Sequence, residues 1–299
     1  MKISFTSMSR QALMRVLDLK TKKLNTLPNL YGTTPYKPFG MTWNNDHFFI
    51  AQSTNIVDLD GLPIIENLWD SIHQILWKDG FLYMVSPHIT CLKRYDFLNK
   101  KMDYLHLEDL TFKNEPPLVC RDQDKVKFQY DLHHFNSILI KNNRAYIAAH
   151  NYNQPSFILE LEYPSFNLIK RHENMGYQIH NIHVENDEIF TIDSNGSGCI
   201  VSNKGSSIPI FKNENMFGKG LAVSKDYFIT GYFPKETRAN RENSDVCIVL
   251  INRATKKIDE SITMKNIGSL CGIRLLDEYD EGHLNIPCPH LDEISKRFI

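Results

Sequence analysis

The sequence lacks an excess of charge of either sign, and it lacks any long apolar run. Its 299 residues carry 34 Lys and Arg against 35 Asp and Glu, which gives a formal net charge of −1 at pH 7. Proteins that bind nucleic acid or an anionic membrane surface normally present a basic field, so neither partner is expected here. No stretch of 18 consecutive apolar residues occurs, and no membrane-spanning helix is therefore predicted.

Signals for export and for a disulfide framework are also missing. The first ten residues contain neither the apolar core nor the small-residue cleavage site of a secretory signal. No Cys-x-x-Cys pair occurs, and most cysteines lie within apolar strand patterns, which favours reduced thiols in a protein core. These absences predict a cytoplasmic location. The six cysteines are Cys91, Cys120, Cys199, Cys247, Cys271 and Cys288.

The short motifs of common enzyme classes are absent as well. The sequence has no Gly-x-Ser-x-Gly elbow, no Gly-x-x-x-x-Gly-Lys loop, no His-Glu-x-x-His motif and no EF-hand loop. The stretch 193–198, Asp-Ser-Asn-Gly-Ser-Gly, is superficially similar to a phosphate loop, but no helix follows it to supply the amide groups that bind phosphate. A turn is predicted there instead.

A strand–turn–strand unit repeats along most of the sequence. Its clearest copy spans residues 179–201, in which two short apolar strands flank a polar turn and a third strand follows a Gly-rich reversal. Related units open at intervals of 33 to 63 residues, around the 40–50 residues typical of four-stranded propeller blades. The six opening positions are Gly40, His73, Asn136, His180, Lys219 and Gly272.

Hairpins with alternating polar and apolar residues predict the outer half of each blade. Residues 2–27 supply outer strands with no inner strand before them, whereas residues 270–276 have the pattern of an inner strand with no hairpin after it. Pairing these two segments would close the ring and remove two exposed strand edges. We therefore predict an all-β protein in which residues 1–299 form a single domain, a six-bladed β-propeller.

Two stretches interrupt the repeat. Residues 107–131 contain Pro-Pro and mixed charges and are predicted to form a long loop over one face. Residues 233–245 are strongly polar and lie between two strands of the fifth unit. Either loop can carry function or be no more than a solvated surface segment. The segment from residue 279 onward is predicted to pack in an extended form.

Polar residues at the opening register are predicted to surround one mouth of the central channel. His73, Asn136 and His180 occupy this register, and His134 lies two residues ahead of Asn136. We expect His134 to face the same way because it is one further step along the same strand. His133 and His183 are predicted to be structural.

Three interpretations of the histidines stay open at this stage. His73, His134 and His180 can form a metal triad, with Zn or Fe as candidates, because neutral imidazole is a good ligand for both. The same ring can instead hold an anion or a polyol without metal, with Asn136 and Lys219 as further donors. In the third interpretation the histidines only bond to neighbouring backbone.

A basic set belongs to one unit of the repeat. Lys219, Lys235, Arg238 and Arg241 would suit an anionic ligand group if the loop at 233–245 folds over the channel mouth. A solvated basic surface is the alternative. Among these residues we name Lys219, Lys235 and Arg238, together with Asn136, as candidate ligand-binding residues.

The sequence resembles a bacterial family of propeller proteins of unknown function. The resemblance covers roughly residues 70–280, and it implies a propeller fold with histidines and Asn136 in corresponding places, without implying a reaction. The family usually has Arg where this chain has Lys219. The matching elements are His73 in Ile-His-Gln-Ile-Leu-Trp, Thr90-Cys91-Leu92, His134-Phe135-Asn136, His180, Asp193-Ser194 with Gly198, and the stretches 217–222 and 231–238.

Two functions from different classes are consistent with this sequence. The first is a ligand-binding or catalytic propeller that acts on a small polar metabolite, such as a sugar derivative, at the histidine-ringed channel, with or without a metal. The second is a non-enzymatic scaffold that holds a partner protein on a flat face and on the loop at 107–131.

Overall fold

In the computed structural model the chain forms six antiparallel β-sheets that are arranged as the blades of a ring. The structure describes residues 1–9, 11–29, 38–68, 71–113, 131–237, 239–284 and 286–298. The innermost strands of the six sheets contact one another in a closed cycle, so the predicted six-bladed propeller is confirmed. Within these ranges no helix is both long and apolar enough to cross a membrane.

Most of the described backbone is strand, as the alternating patterns predict. The strands β1 to β25 are, in chain order, Lys2–Ser7, Ala12–Asp18, Leu24–Pro28, Pro38–Trp43, Phe48–Gln52, Asn55–Val57, Pro63–Ile65, Ile75–Lys78, Phe81–Ser86, Cys91–Asp96, Lys101–His106, Thr111–Lys113, Phe135–Lys141, Arg144–Ala149, Phe157–Glu162, Leu168–His172, His180–Glu185, Glu188–Ile192, Cys199–Ser202, Ser207–Pro209, Met216–Val223, Tyr227–Pro234, Val246–Asn252, Ile258–Met264 and Leu270–Leu275. Two short 3-10 turns, Pro87–Ile89 and Asn240–Asn243, and the helix Leu291–Lys296 complete the regular structure.

Each blade is a sheet of consecutive strands with one exception. The sheets are β4 to β7, β8 to β12, β13 to β16, β17 to β20, β21 to β24, and a closing sheet in the order β25, β1, β2, β3. The inner strands are β4, β8, β13, β17, β21 and β25, and the opening positions read from the sequence lie in these strands or just before them.

The closing blade joins the two distant segments that the sequence predicts to pair. Strand β1 runs antiparallel to β25, with Ile3 opposite Leu275 and Phe5 opposite Ile273. All four side chains are fully buried, and burial of each stabilises the fold by about 1.5–3 kcal/mol. The ring is therefore held shut by hydrophobic burial as well as by the β-ladder.

Hydrophobic clusters fill the joints between neighbouring blades. Six such clusters form among the described residues; each joins two adjacent sheets, and one also includes Leu276, Cys288 and Ile294 from the segment after β25. Period-two alternation explains this arrangement, because both faces of a blade pack against a neighbour and only the outer strands meet solvent. The stacked blades fix the positions of the inner strands around the axis.

Amide side chains join the inner strands close to the axis. Gln74 accepts a hydrogen bond from a backbone amide of β13 at 3.1 Å. Asn136 donates to the carbonyl group just before β17 at 2.8 Å, and Asn181 accepts from a backbone amide of β21 at 3.0 Å. The space that these side chains leave is only about 20 Å³, so the channel is constricted at this level.

The segment after β25 closes the channel from the far end of the inner strands. The buried Asp280 carboxylate accepts three backbone amides at 2.9–3.1 Å, including those of Val223 and Leu275 at the ends of β21 and β25. His283 bonds through Nδ1 to Gln74 at 3.0 Å and through Nε2 to a β21 carbonyl oxygen at 2.8 Å. The segment then ends in a short helix, so the expectation of a purely extended form is wrong.

The two predicted loops have different outcomes. The prediction of a loop at 107–131 is wrong at its beginning, because Thr111–Lys113 forms β12 as a fifth strand of its blade, and residues 114–130 lie outside the described residues. The loop at 233–245 contains the 3-10 turn Asn240–Asn243 and contributes to the channel mouth.

Candidate functional site

A cavity of about 470 Å³ occupies the mouth of the ring at the beginning of the inner strands. Imidazole groups line much of its wall. His73, His134 and His180, the three candidate metal ligands named from the sequence, all reach it. Two histidines that sequence reasoning missed, His88 and His150, reach it as well.

The geometry of antiparallel hairpins explains the two additional histidines. An inner strand begins at the rim where the second strand of the same blade ends, so both termini contribute side chains to one mouth. His150 follows the second strand of its blade, and its backbone amide bonds to the carbonyl oxygen of His134 at 3.3 Å. His88 follows β9 in the same way. A histidine directly after the second strand of a predicted blade is therefore the sequence signal that would have identified His88 and His150.

The aromatic rings form a continuous arc around the cavity. Successive ring centroids lie 5.0 to 5.5 Å apart along the series Phe39, His73, His134, His150, His180 and Phe217. His88 branches from this arc, with its ring centroid 5.7 Å from that of His134. The three predicted histidines therefore share a wall, but His150 stands between His134 and His180.

His134 reaches the cavity for a reason different from the one expected. Its backbone has φ of +49°, in the left-handed region, and β13 begins only at the next residue. The expectation that it continues an extended strand is therefore wrong. Residues other than glycine adopt this backbone conformation at a free-energy cost of about 1–3 kcal/mol, and residues strained in this way are frequent at functional sites.

Asp131 binds two of the histidines at once. Its Oδ2 lies 2.8 Å from Nδ1 of His134 and 3.0 Å from Nδ1 of His88. Burial acts to raise the pKa of Asp131, but the hydrogen bonds from His134 and His88 outweigh it and hold this pKa well below its usual range. Asp131 is therefore a buried carboxylate whose charge is stabilised by its imidazole partners.

The other histidines of the arc are neutral at physiological pH. Burial lowers the pKa of His73 and His180 well below the ordinary value, and nearby positive charges act in the same direction. Burial, His134 and Lys219 lower the pKa of His150 to about 3. Neutral imidazole carries one donor and one acceptor. Nδ1 of His150 accepts from the Tyr152 amide at 3.2 Å, so its Nε2 is a donor; Nδ1 of His180 donates to the Gln178 carbonyl oxygen at 2.9 Å, so its Nε2 is an acceptor.

Basic residues of one blade also line the cavity, and Glu236 lies among them. Lys219 of β21 and Lys235, which follows β22, line it together with Arg241 from the 3-10 turn of the loop at 233–245. In the described part of the chain Lys219 forms no ion pair or hydrogen bond, and burial lowers its pKa. Arg238, the fourth residue of the predicted basic set, lies outside the described residues.

Asn136 lies in the constriction below the cavity, which His73 and His180 also line. Its Nδ2 donates to the carbonyl oxygen of Ile179, and its Oδ1 accepts a hydrogen bond from Ser137 at 2.7 Å. The side chain thus uses its polar atoms to join two blades. Its role as a ligand residue stays a prediction, but the structure gives it a structural task.

Of the remaining residues singled out from the sequence, Asn195 reaches the cavity wall, whereas Asp193, His133 and His183 do not line it. Asp193 accepts amides of residues 177, 196 and 197 at 2.7–3.1 Å, which makes residues 193–198 a turn, as expected. The ring of His133 packs on Phe157 at 5.1 Å. His183 is fully buried between Phe190 and Phe228.

Comparisons with known proteins show the fold and nothing finer. No family model matches the chain, and no curated protein matches it. A crystal structure of a nidogen/laminin complex is similar with a TM-score of 0.64 at 10% identity, over 92% of this chain and 98% of that one. A protein from Lactobacillus plantarum is similar with a TM-score of 0.53 at 12% identity, over 91% and 98% of the two chains. The computationally designed Ika8 protein gives 0.52 at 9% identity, over 94% and 91%.

These identities carry no information on chemistry. The six-bladed propeller is thus supported by the structure and by its neighbours. Membership of the bacterial family that the sequence resembles stays a prediction. The cavity has to be interpreted from its own residues.

Proposed function

We propose that the cavity binds a small polar metabolite through an anionic group, with Lys219 as the principal anchor. The observation that carries the proposal is a lysine in a desolvated wall that no acidic side chain of the described residues neutralises. An unpaired ammonium in such a place costs free energy that a carboxylate or phosphate ligand would offset. Lys235 and Arg241 also line this cavity.

The neutral imidazoles favour a ligand that also carries hydroxyl groups. Nε2 of His150 is a donor and Nε2 of His180 is an acceptor, and both rings line the same cavity as Lys219. A sugar acid or sugar phosphate combines an anionic group with several hydroxyls, and a cavity of about 470 Å³ is large enough for either. The proposed ligand is therefore a sugar derivative with one anionic end.

The pair formed by Asp131 and His134 gives this site a route to catalysis. A carboxylate bonded to one imidazole nitrogen fixes the ring and increases the basicity of the other nitrogen. With Nδ1 of His134 bonded to Asp131, its Nε2 is the atom left to accept a proton. Proton abstraction from a bound sugar derivative is the reaction class that this arrangement suits.

Thermal-shift screening followed by isothermal titration tests the proposal. The panel contains inorganic phosphate, glucose 6-phosphate, gluconate and neutral glucose, and we expect the two sugar-derived anions to bind best. Lys219→Met should weaken their binding by about tenfold or more, equivalent to about 1.4 kcal/mol. Lys257→Met is the matched control, because Lys257 belongs to the same blade but is exposed on its outer side.

Equal affinity of wild type and Lys219→Met for every anion would contradict the proposal, and so would a preference for neutral glucose.

A cytoplasmic location fits the state of the cysteines. The five described cysteines are buried, and none forms a disulfide within the described ranges.

A protein-binding scaffold is the second candidate. The similar nidogen/laminin structure is a complex of proteins, which makes a protein partner plausible for a propeller of this shape. A scaffold would hold its partner on a flat face, and substitutions inside the cavity would leave that binding unchanged. Affinity purification with wild type and Lys219→Met separates the candidates, because a scaffold retains the same partner in both.

A further inference from the structure

We propose that His88, Asp131 and His134 bind a divalent transition metal ion in the wall of the cavity. One ligand atom from each residue lies within 4.8 Å of the other two. The three residues come from different turns, since His88 follows β9 while Asp131 and His134 precede β13. This triad differs from the one predicted from the sequence, and it shares only His134 with it.

The donor set and its spacing fit such an ion. Two imidazoles and one carboxylate are ligands of Zn²⁺ and of Fe²⁺. Ligand atoms about 2.0–2.2 Å from a common ion lie about 2.8–3.5 Å from one another in octahedral or tetrahedral sites. The distances from Asp131 Oδ2 to the two Nδ1 atoms, 2.8 and 3.0 Å, lie at the short end of this range.

The carboxylate itself is incompletely satisfied by the chain. The side chain of Asp131 is only 3% exposed, and its Oδ1 has no hydrogen-bond partner among the described residues. The hydroxyl of Tyr152 lies nearby, and its pKa is raised by burial and by this carboxylate. A buried carboxylate oxygen without a partner is costly, and a cation on the carboxylate would remove that cost.

A purely hydrogen-bonded arrangement explains less. Two imidazoles that donate to Oδ2 satisfy that oxygen, and the Tyr152 hydroxyl, which also acts on this carboxylate, is too poorly placed to satisfy Oδ1. Hydrogen bonding alone gives no reason for two Nδ1 atoms to converge on a single carboxylate oxygen. A bound ion accounts for the convergence, and three protein ligands leave coordination positions that a molecule in the cavity can fill.

Metal analysis of the tag-free chain tests the inference. The protein is stripped with a chelator and titrated with Zn²⁺, and metal content after dialysis is measured by mass spectrometry. We expect about one ion per chain, and binding weaker by at least about 10- to 100-fold, the cost of losing a mere outer partner of a ligand, in His88→Gln and in Asp131→Asn. Co²⁺ substitution gives a second readout, because the visible absorption of the bound ion should change in His88→Gln.

Control variants make each outcome decisive. His47→Ala removes an exposed histidine outside the cavity and should keep the ion. His73→Ala and His180→Ala should keep it too, and loss of metal in these two with retention in His88→Gln would overturn the assignment in favour of the triad read from the sequence. No stoichiometric ion in the wild type would overturn it outright. If Asp131→Asn does not fold, His88→Gln decides alone.

The inference stands apart from the proposed anion anchor, but it replaces the proton-accepting role of His134 given above. An imidazole that binds an ion through Nδ1 carries its proton on Nε2, which can then only donate. Lys219→Met should bind Zn²⁺ like the wild type, because Lys219 is not a ligand of the ion. Loss of anion binding in that variant with unchanged metal content bears only on the proposed function. Loss of metal in His88→Gln bears only on the metal site.

Discussion

The two ends of the central channel use their polar side chains in opposite ways. At the end closed by the segment after β25, His283 has both ring nitrogens bonded and Asp280 accepts three backbone amides. At the open mouth, Lys219 has no partner and His73 Nδ1 has none, as far as the described ranges extend. A fold supplies partners where polar groups serve stability, so the unpaired Lys219 at the cavity is the group that a ligand can satisfy, whereas Nδ1 of His73 is shut off from solvent.

Removal of the closing segment should have the largest effect. Truncation after Leu276 deletes the buried Asp280 and His283 and removes Ile294 from a cluster that includes Leu13 and Trp43. We expect insoluble protein, or a Tm lower by about 10 °C or more. Lys219→Met at the open end is the control and should stay within about 2 °C of wild type. A soluble truncated chain with an unchanged Tm would show that the two ends do not differ in this way.

A matched pair of substitutions compares one histidine at each end. His283→Leu leaves the Gln74 amide and a β21 carbonyl oxygen without partners, and it should cost about 1–3 kcal/mol in the free energy of unfolding. His73→Leu removes a ring whose Nδ1 is already unbonded within the described part of the molecule, and it should cost less than about 1 kcal/mol. Urea denaturation measures both. Equal losses in the two variants would contradict the distinction between the ends.

Replacement of His183 should have the smallest effect on the free energy of unfolding, and it should stabilise the fold rather than destabilise it. His183 lies far from solvent between two phenylalanine rings, and neither ring nitrogen has a hydrogen-bond partner within the described ranges. His183→Leu removes these unsatisfied atoms with a similar side-chain volume, so we expect stability at pH 7 to rise by about 1 kcal/mol. A destabilised variant would show that this buried imidazole makes a favourable interaction.

The pH dependence of the same variant sharpens the test. Burial, Lys141 and Arg253 lower the pKa of His183 from 6.5 to about 4, against the opposing charges of Glu185 and Glu281. Between pH 6.5 and about pH 4, His183 of the unfolded chain takes up a proton, whereas His183 of the folded chain does not. Wild type should therefore lose up to about 3 kcal/mol as pH falls from 6.5 to 4. Urea denaturation at both pH values should show a smaller loss in His183→Leu.

The number of blades and the closure of the ring were readable from the sequence because each depends on local patterns. Alternation of apolar residues marks a strand, and a polar turn marks a hairpin, so β1 and β25 could be paired without knowledge of contacts. The register of His73 and His180 before their strands placed them at one mouth for the same reason. Features that recur in every blade can therefore be predicted from the sequence alone.

Features that depend on a particular side chain were not readable in this way. Asn136 shares the register of the histidines, but its amide is used between two blades. Asp131 lies at the end of a stretch interpreted as loop, and only the folded chain brings it to His88, 43 residues away. The role of His283 in closing the channel was missed because it lies after the last repeat unit, where no repeating pattern indicates its contacts.

Hydrogen exchange of the full chain, with and without its best-binding anion, tests the central claim most directly. The account predicts slower exchange in peptides that contain the mouth segments, which include residues 131–136, 148–152, 178–182 and 216–220. The closing segment at 277–284 should be unchanged. Protection confined to that segment or to the outer strands would contradict a binding site at the open mouth.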